Sequence, residues 1–147
     1  MGATQPSTGS KATRRGPHRR PSSITAFDFD VTSLATVRQL VRQRAEDAGF
    51  DADAIDDAVL AVNEVATNSV SHGGGKGVLR IWNEPGNLAC EVRDRGRGGP
   101  RLSRRRPSVN REHGRGLWLA DQLSDVLRWT SGLDGTVVQV RIDAPSV

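Results

Sequence analysis

At 147 residues the chain is long enough for one domain with a buried core, but its apolar fraction is only 35% and Tyr is absent, so part of it should lie outside that core. A lone Cys90 excludes an internal disulfide, and no Cys/His cluster has zinc spacing. No apolar run is long enough to span a bilayer or serve as a signal-peptide core, so a cytoplasmic protein without a membrane partner is expected.

The net charge of +4 is unevenly spread. Lys11, Arg14, Arg15, Arg19 and Arg20 lie in residues 1–22, which hold no acid. The remaining 16 basic residues face all 17 acidic ones, so the rest of the chain is near neutral and offers no basic surface for direct nucleic-acid binding. Residues 1–22 are Ser, Thr, Gly, Pro and Arg without a hydrophobic period, the composition of a disordered basic tail. An organelle transit peptide shares that composition but needs amphipathic apolar spacing.

The folded domain is expected over residues 23–147. Ile24 to Phe29 alternates and reads as an edge strand. Thr32 or Ser33 can cap a helix to about Ala48, with Leu34, Val37, Leu40 and Val41 at helical spacing and Gly49 as its stop. Asp51 or Asp53 can cap a second helix to about His72, closed by Gly73-Gly74-Gly75. Its core stripe is Ile55, Val59, Val62, Ala66 and Ser69.

Strands Val78–Asn83 and Leu88–Asp94 flank the turn Glu84-Pro85-Gly86-Asn87. Residues 95–113 read as a long loop, a length that in a compact domain points to function or disorder. Arg115 to Leu123 reads as a helix. Val126–Thr130 and Thr136–Ile142 form a last hairpin around Gly132-Leu133-Asp134-Gly135. The expected fold is α+β: a two-layer sandwich of a mixed sheet with helices on one face.

Four sets of residues can carry chemistry. Glu64 and Asn68 are i and i+4 and share one helix face away from the core stripe. They are either a solvated polar pair or a base and a metal ligand, since an amide oxygen suits Mg²⁺ and a carboxylate one turn away can accept a proton. Asp94 ends the apolar row Leu88, Cys90, Val92 on one strand face. A buried carboxylate needs donors, either the N–H groups of the following turn or the amino group of an adenine. Gly96 and Gly98 then allow close backbone approach. Gly114 and Gly116 precede or open a helix, where backbone N–H groups and the dipole favour phosphate. Thr136 caps the apolar row Val138, Val140, Ile142, a place from which its hydroxyl can lie beside Asp94.

Other features are weaker. Gly73-Gly74-Gly75-Lys76-Gly77 lacks the first Gly and the Ser or Thr of a phosphate loop, and it follows a helix instead of opening one. The region from Arg93 to Arg115 holds nine Arg, at 93, 95, 97, 101, 104, 105, 106, 111 and 115, against Asp94 and Glu112. It reads as a cationic lid over phosphates or as a solvated loop. His72 reads as a helix-end residue, and Cys90, Trp82, Trp118 and Trp129 as packing residues.

In this order the chain resembles the ATP-binding domain shared by histidine kinases, gyrase B, Hsp90 and MutL, the Bergerat fold. Within that group it is most similar to the small bacterial anti-sigma factor serine/threonine kinases. The resemblance spans roughly residues 24–143. Glu64 and Asn68 fall on the family's N-box, Asp94, Gly96 and Gly98 on its first glycine box, Gly114 and Gly116 on its second, and Thr136 on the Thr near the adenine pocket. It implies ATP and Mg²⁺ as ligands, with Asn68 binding the metal and Asp94 the adenine amino group. Gly114, Arg115 and Gly116 would border the phosphates, and Glu64 would be the catalytic base. The implied partners are a sigma factor and a STAS-type anti-anti-sigma protein, with a second copy of the chain in a homodimer. The phospho-accepting helical hairpin of a histidine kinase has no room here. A non-catalytic module that binds nucleotide to set its shape remains open, as does nucleic-acid binding through the Arg-rich tail and loop.

Overall fold

The structure, a computed structural model, describes residues 23–96 and 115–145. Among these residues the elements run β1 (Thr25–Asp30), α1 (Leu34–Asp47), α2 (Ala52–His72), β2 (Lys76–Glu84), β3 (Asn87–Asp94), α3 (Arg115–Leu123), β4 (Val126–Gly132) and β5 (Gly135–Asp143), with a 3-10 turn Val31–Ser33 before α1. The basic tail and most of the Arg-rich loop lie outside the described residues.

The start of α1 differs from the expected cap. Asp30, the last residue of β1, is the capping residue: its Oδ1 accepts from the Thr32 N–H at 2.9 Å and the Thr32 hydroxyl at 2.6 Å. The Ser33 hydroxyl in return accepts from the Asp30 N–H at 3.0 Å, completing a capping box. Ser33 itself makes no side-chain cap bond to α1, because the 3-10 turn moves the start of the helical segment back to Asp30. For α2 the cap is Asp51, whose Oδ1 accepts from the Ala54 N–H at 2.9 Å. Asp53 lies inside the first turn, where the positive end of the helix favours its charge.

The strand order is β1-β2-β3-β5-β4, and every pairing is antiparallel, where a mixed sheet was expected. Two helices separate β1 from β2, so the chain returns reversed; a single crossover helix would return it parallel. Strands β3 and β4 do run the same way, but β5 lies between them and pairs with both.

The helices cover one face. Phe29, Leu79, Ile81, Leu88, Cys90, Val92, Val138, Val140 and Ile142 are buried on the sheet and form one core with Val37 and Val41 of α1, Leu117 and Ala120 of α3, and much of α2. The expected stripe of α2 is buried, and so are Ala58, Ala61 and Val65, because α2 packs against α1 and α3 as well as the sheet. Each fully buried Val or Leu contributes about 1.5–3 kcal/mol, so α2 is the best-anchored helix.

Cys90 is core, as expected, and burial pushes its thiol up to about 12. Trp129 packs against the core, whereas Trp82 lies outside it, its indole N–H donating to Glu84 Oε2 at 2.9 Å. On the helix-free face Glu91 is buried beneath Arg80 and Arg93, whose nitrogens lie 3.7 and 3.0 Å from its Oε1. Among the described residues no helix is long and apolar enough to cross a membrane.

The hydrogen bonds from Thr32, first its hydroxyl and then its N–H, hold the Asp30 carboxyl below the usual carboxylate range. A depressed folded value means that the stabilisation is present above the unfolded value and lost as pH falls through the folded one. Comparing urea midpoints of wild type and Asp30→Asn from about pH 6 to about pH 2.5, the advantage of wild type should shrink on the acid side.

Candidate nucleotide site

Three stretches of chain meet at the C-terminal end of α2. The first is the helix end itself. Gly73 donates its N–H to Ser69 O at 2.7 Å, and Gly74 and Gly75, with φ of +94° and +89°, turn the chain into β2. The second is the end of β3. Asp94 completes the row of Leu88, Cys90 and Val92 and is 9% exposed. Its Oδ1 accepts from the Gly96 N–H at 2.7 Å, so the turn after the strand supplies one of the donors that burial demands.

The third stretch is the start of β5. The register sets Thr136 opposite Asp94. Thr136 is 1% exposed; its hydroxyl donates to Gly96 O at 2.5 Å and lies 3.1 Å from Ser131 Oγ. It therefore ties the β4–β5 hairpin to the turn that satisfies Asp94.

These stretches approach closely enough to exclude side chains. A Cβ at Gly73 would lie 2.3 Å from Asp94 Cγ, and one at Gly96 would lie 2.6 Å from Gly73 Cα. At Gly135, with φ of +129°, a Cβ would lie 2.1 Å from Asp94 O. An open cavity of about 600 Å³ adjoins this junction. It is lined by Gly73, Gly74, Asp94, Gly135 and Thr136, and by Asp28, Val78, Arg93 and Val137, which the register aligns in one row across the helix-free face.

Glu64 and Asn68 are half-buried on α2. Asn68 precedes Gly73 by five residues, or about 7–8 Å along the helix axis, and Glu64 lies one further turn away. Neither lines the cavity. The structure thus joins Asp94, Gly96 and Thr136 in one hydrogen-bonded unit and sets Asn68 and Glu64 along the helix above it. Arg115 and Gly116 open α3 as expected; Gly98 and Gly114 lie outside the described residues.

The donor set fits an aminopurine nucleotide. A carboxylate accepts from an exocyclic amino group, and the open cavity beside Asp94 leaves room for a flat base. Among the described residues no three His, Cys, Asp or Glu side chains gather to hold a metal. Asn68 would be a single ligand, which suits an ion that takes most of its oxygens from phosphate and water.

Sequence reasoning missed Gly73, Gly135 and Ser131. Gly73 was read only as a helix stop, with its phosphate-loop reading rejected, and Gly135 was read only as a turn. Ser131 became visible once the hairpin register put it opposite Thr136.

Residues 27–142 match the model of the family described as the histidine kinase-like ATPase domain, and the chain belongs to that family. Membership implies ATP binding on a kinase-like fold. Among solved structures, the RsbU and RsbW domains of Rv1364c from Mycobacterium tuberculosis align at 25% identity and a TM-score of 0.63, over 85% of this chain and 33% of that one. The histidine kinase domain of the Erythrobacter litoralis blue-light activated kinase EL346 aligns at 23% identity and 0.50, over 76% and 59%. The Acinetobacter baumannii histidine kinase AdeS aligns at 10% and 0.51, over 84% and 70%. The last two show the fold alone, and the chain spans about a third of the first structure's length. No curated protein matches.

Thr136→Val keeps shape and removes the hydroxyl, leaving Gly96 O without that donor. Urea unfolding should show a loss of about 1–3 kcal/mol; unchanged stability would mean that the hydroxyl does not tie the turn.

Proposed function

We propose that the chain is an ATP- and Mg²⁺-dependent protein serine/threonine kinase of the anti-sigma factor type. It would phosphorylate a STAS-type anti-anti-sigma partner, hold a sigma factor inactive, and work as a cytoplasmic homodimer in which residues 23–147 form the functional unit. The observation that carries the nucleotide part is Asp94, a buried carboxylate held by Gly96 at the foot of the helix bearing Asn68 and Glu64. The anti-sigma part is supported by the likeness to a structure containing an RsbW domain.

In this reading Asp94 accepts a hydrogen bond from the adenine amino group and fixes the base. The phosphates extend along α2 toward Asn68 and the start of α3, where Gly114, Arg115 and Gly116 border them. Gly98, like Gly96, would contribute to nucleotide binding as part of the first glycine box. Asn68 offers its amide oxygen to Mg²⁺, an ion that neutralises phosphate charge when bound. Glu64 accepts the proton of the acceptor Ser or Thr hydroxyl as its oxygen bonds to the γ-phosphorus. The bond from that phosphorus to the β-bridging oxygen breaks, and ADP leaves with the electron pair.

With ATP, Mg²⁺ and an acceptor protein, Glu64→Ala should lower the rate of phosphotransfer about 10²–10⁴-fold while retaining nucleotide affinity. Transfer as fast as wild type would remove Glu64 from the role of base. By calorimetry, Asp94→Asn should weaken ATP binding about tenfold or more. If wild type binds neither ATP nor ADP with Mg²⁺ present, the reading fails. Tight nucleotide binding with no phosphoprotein would make the chain a non-catalytic module of the same fold.

A further inference from the structure

Three consecutive glycines follow α2, and they are glycine for different reasons. Gly74 and Gly75 have positive φ, and a Cβ on either would meet nothing within 4 Å. Their need is conformational. Gly73 is the reverse. Its φ of −106° is open to any residue, so its backbone does not require glycine. A Cβ there would lie 2.3, 2.4 and 2.7 Å from Cγ, Oδ2 and Oδ1 of Asp94, the whole carboxyl group. The same bare surface seats the next turn, since a Cβ at Gly96 would lie 2.6 Å from Gly73 Cα and 2.8 Å from His72 O.

We infer that Gly73 is a positioning residue that fixes the Asp94 carboxylate against the end of α2 and so sets selectivity for a base bearing an amino group. The inference rests on the reading of Asp94 as the base-recognition group. A methyl at position 73 and the carboxylate compete for one space. The carboxylate, at the end of a side chain, gives way before the helix does. Because Gly73 closes the helix that carries Glu64 and Asn68, the position of the base is set by the element that sets the position of the proposed base catalyst and metal ligand.

The test compares ATP with purine riboside triphosphate, which lacks the 6-amino group, on the full chain with Mg²⁺ by calorimetry. Wild type should prefer ATP about tenfold or more. In Gly73→Ala that preference should fall below about twofold, while affinity for the analogue stays within about threefold of wild type. A purely structural role would weaken both ligands together and leave the ratio intact, and that result overturns the proposal, as does no change in either. A melting cycle covers the case of an unstable variant. Gly73→Ala should lower the melting temperature in the wild-type background and leave it unchanged in Asp94→Ala, where the vacated space takes the methyl. An equal loss in both backgrounds overturns the contact. If wild type binds neither nucleotide, the kinase reading and the selectivity role fail together, and the melting cycle alone then decides whether Gly73 holds the carboxylate.

Discussion

Asp94 ends an apolar strand face at 9% exposure, in line with Leu88, Cys90 and Val92. A carboxylate removed from water costs several kcal/mol unless it is given donors. The turn after β3 therefore folds back to present the Gly96 N–H. The turn keeps that shape because Thr136 holds Gly96 O, and Thr136 is in place because β5 pairs with β3 in one register. The helix end opposite must be bare, or the carboxylate has nowhere to lie. One buried charge thus constrains a turn, a register and a helix terminus.

That arrangement also has an electrostatic sense. The C-terminus of α2 carries the negative end of the helix dipole, the wrong sign for a neighbouring carboxylate. The Gly96 N–H offsets part of this. A ligand amino group at the same place would be attracted by both the carboxylate and the helix end. The antiparallel sheet contributes by position: β3 is central, and its C-terminal end lies at the end of the sheet where α2 finishes.

Much of this was legible in local pattern. The two-residue period put Asp94 and Thr136 at the ends of two apolar rows, and the register sets those ends side by side. The stripe from Ile55 to Ser69 marked the buried side of α2 and, by difference, the face bearing Glu64 and Asn68. What escaped depends on tertiary placement. No short-range signal says that β5 enters between β3 and β4, which is why the sheet is antiparallel throughout. Asp30 was given no role, and Thr32 or Ser33 was expected as the cap, because the capping by Asp30 depends on a 3-10 turn that its own sequence neighbourhood does not announce. In Gly73-Gly74-Gly75 the letters are identical, so a glycine needed for space cannot be told from two needed for their dihedrals.

The hydrogen bond from Thr136 to Gly96 spans 40 residues of chain. Closing a loop of that length costs about 3 kcal/mol in chain entropy, and the bond forms only once the last strand has docked. During synthesis, the helix with Glu64 and Asn68 and the hairpin ending in Asp94 emerge well before Gly135 and Thr136. A chain stopped short of β5 would hold both helix residues and the carboxylate yet lack the strand that completes their surroundings. The surroundings of Asp94 are therefore completed only when β5 docks beside β3.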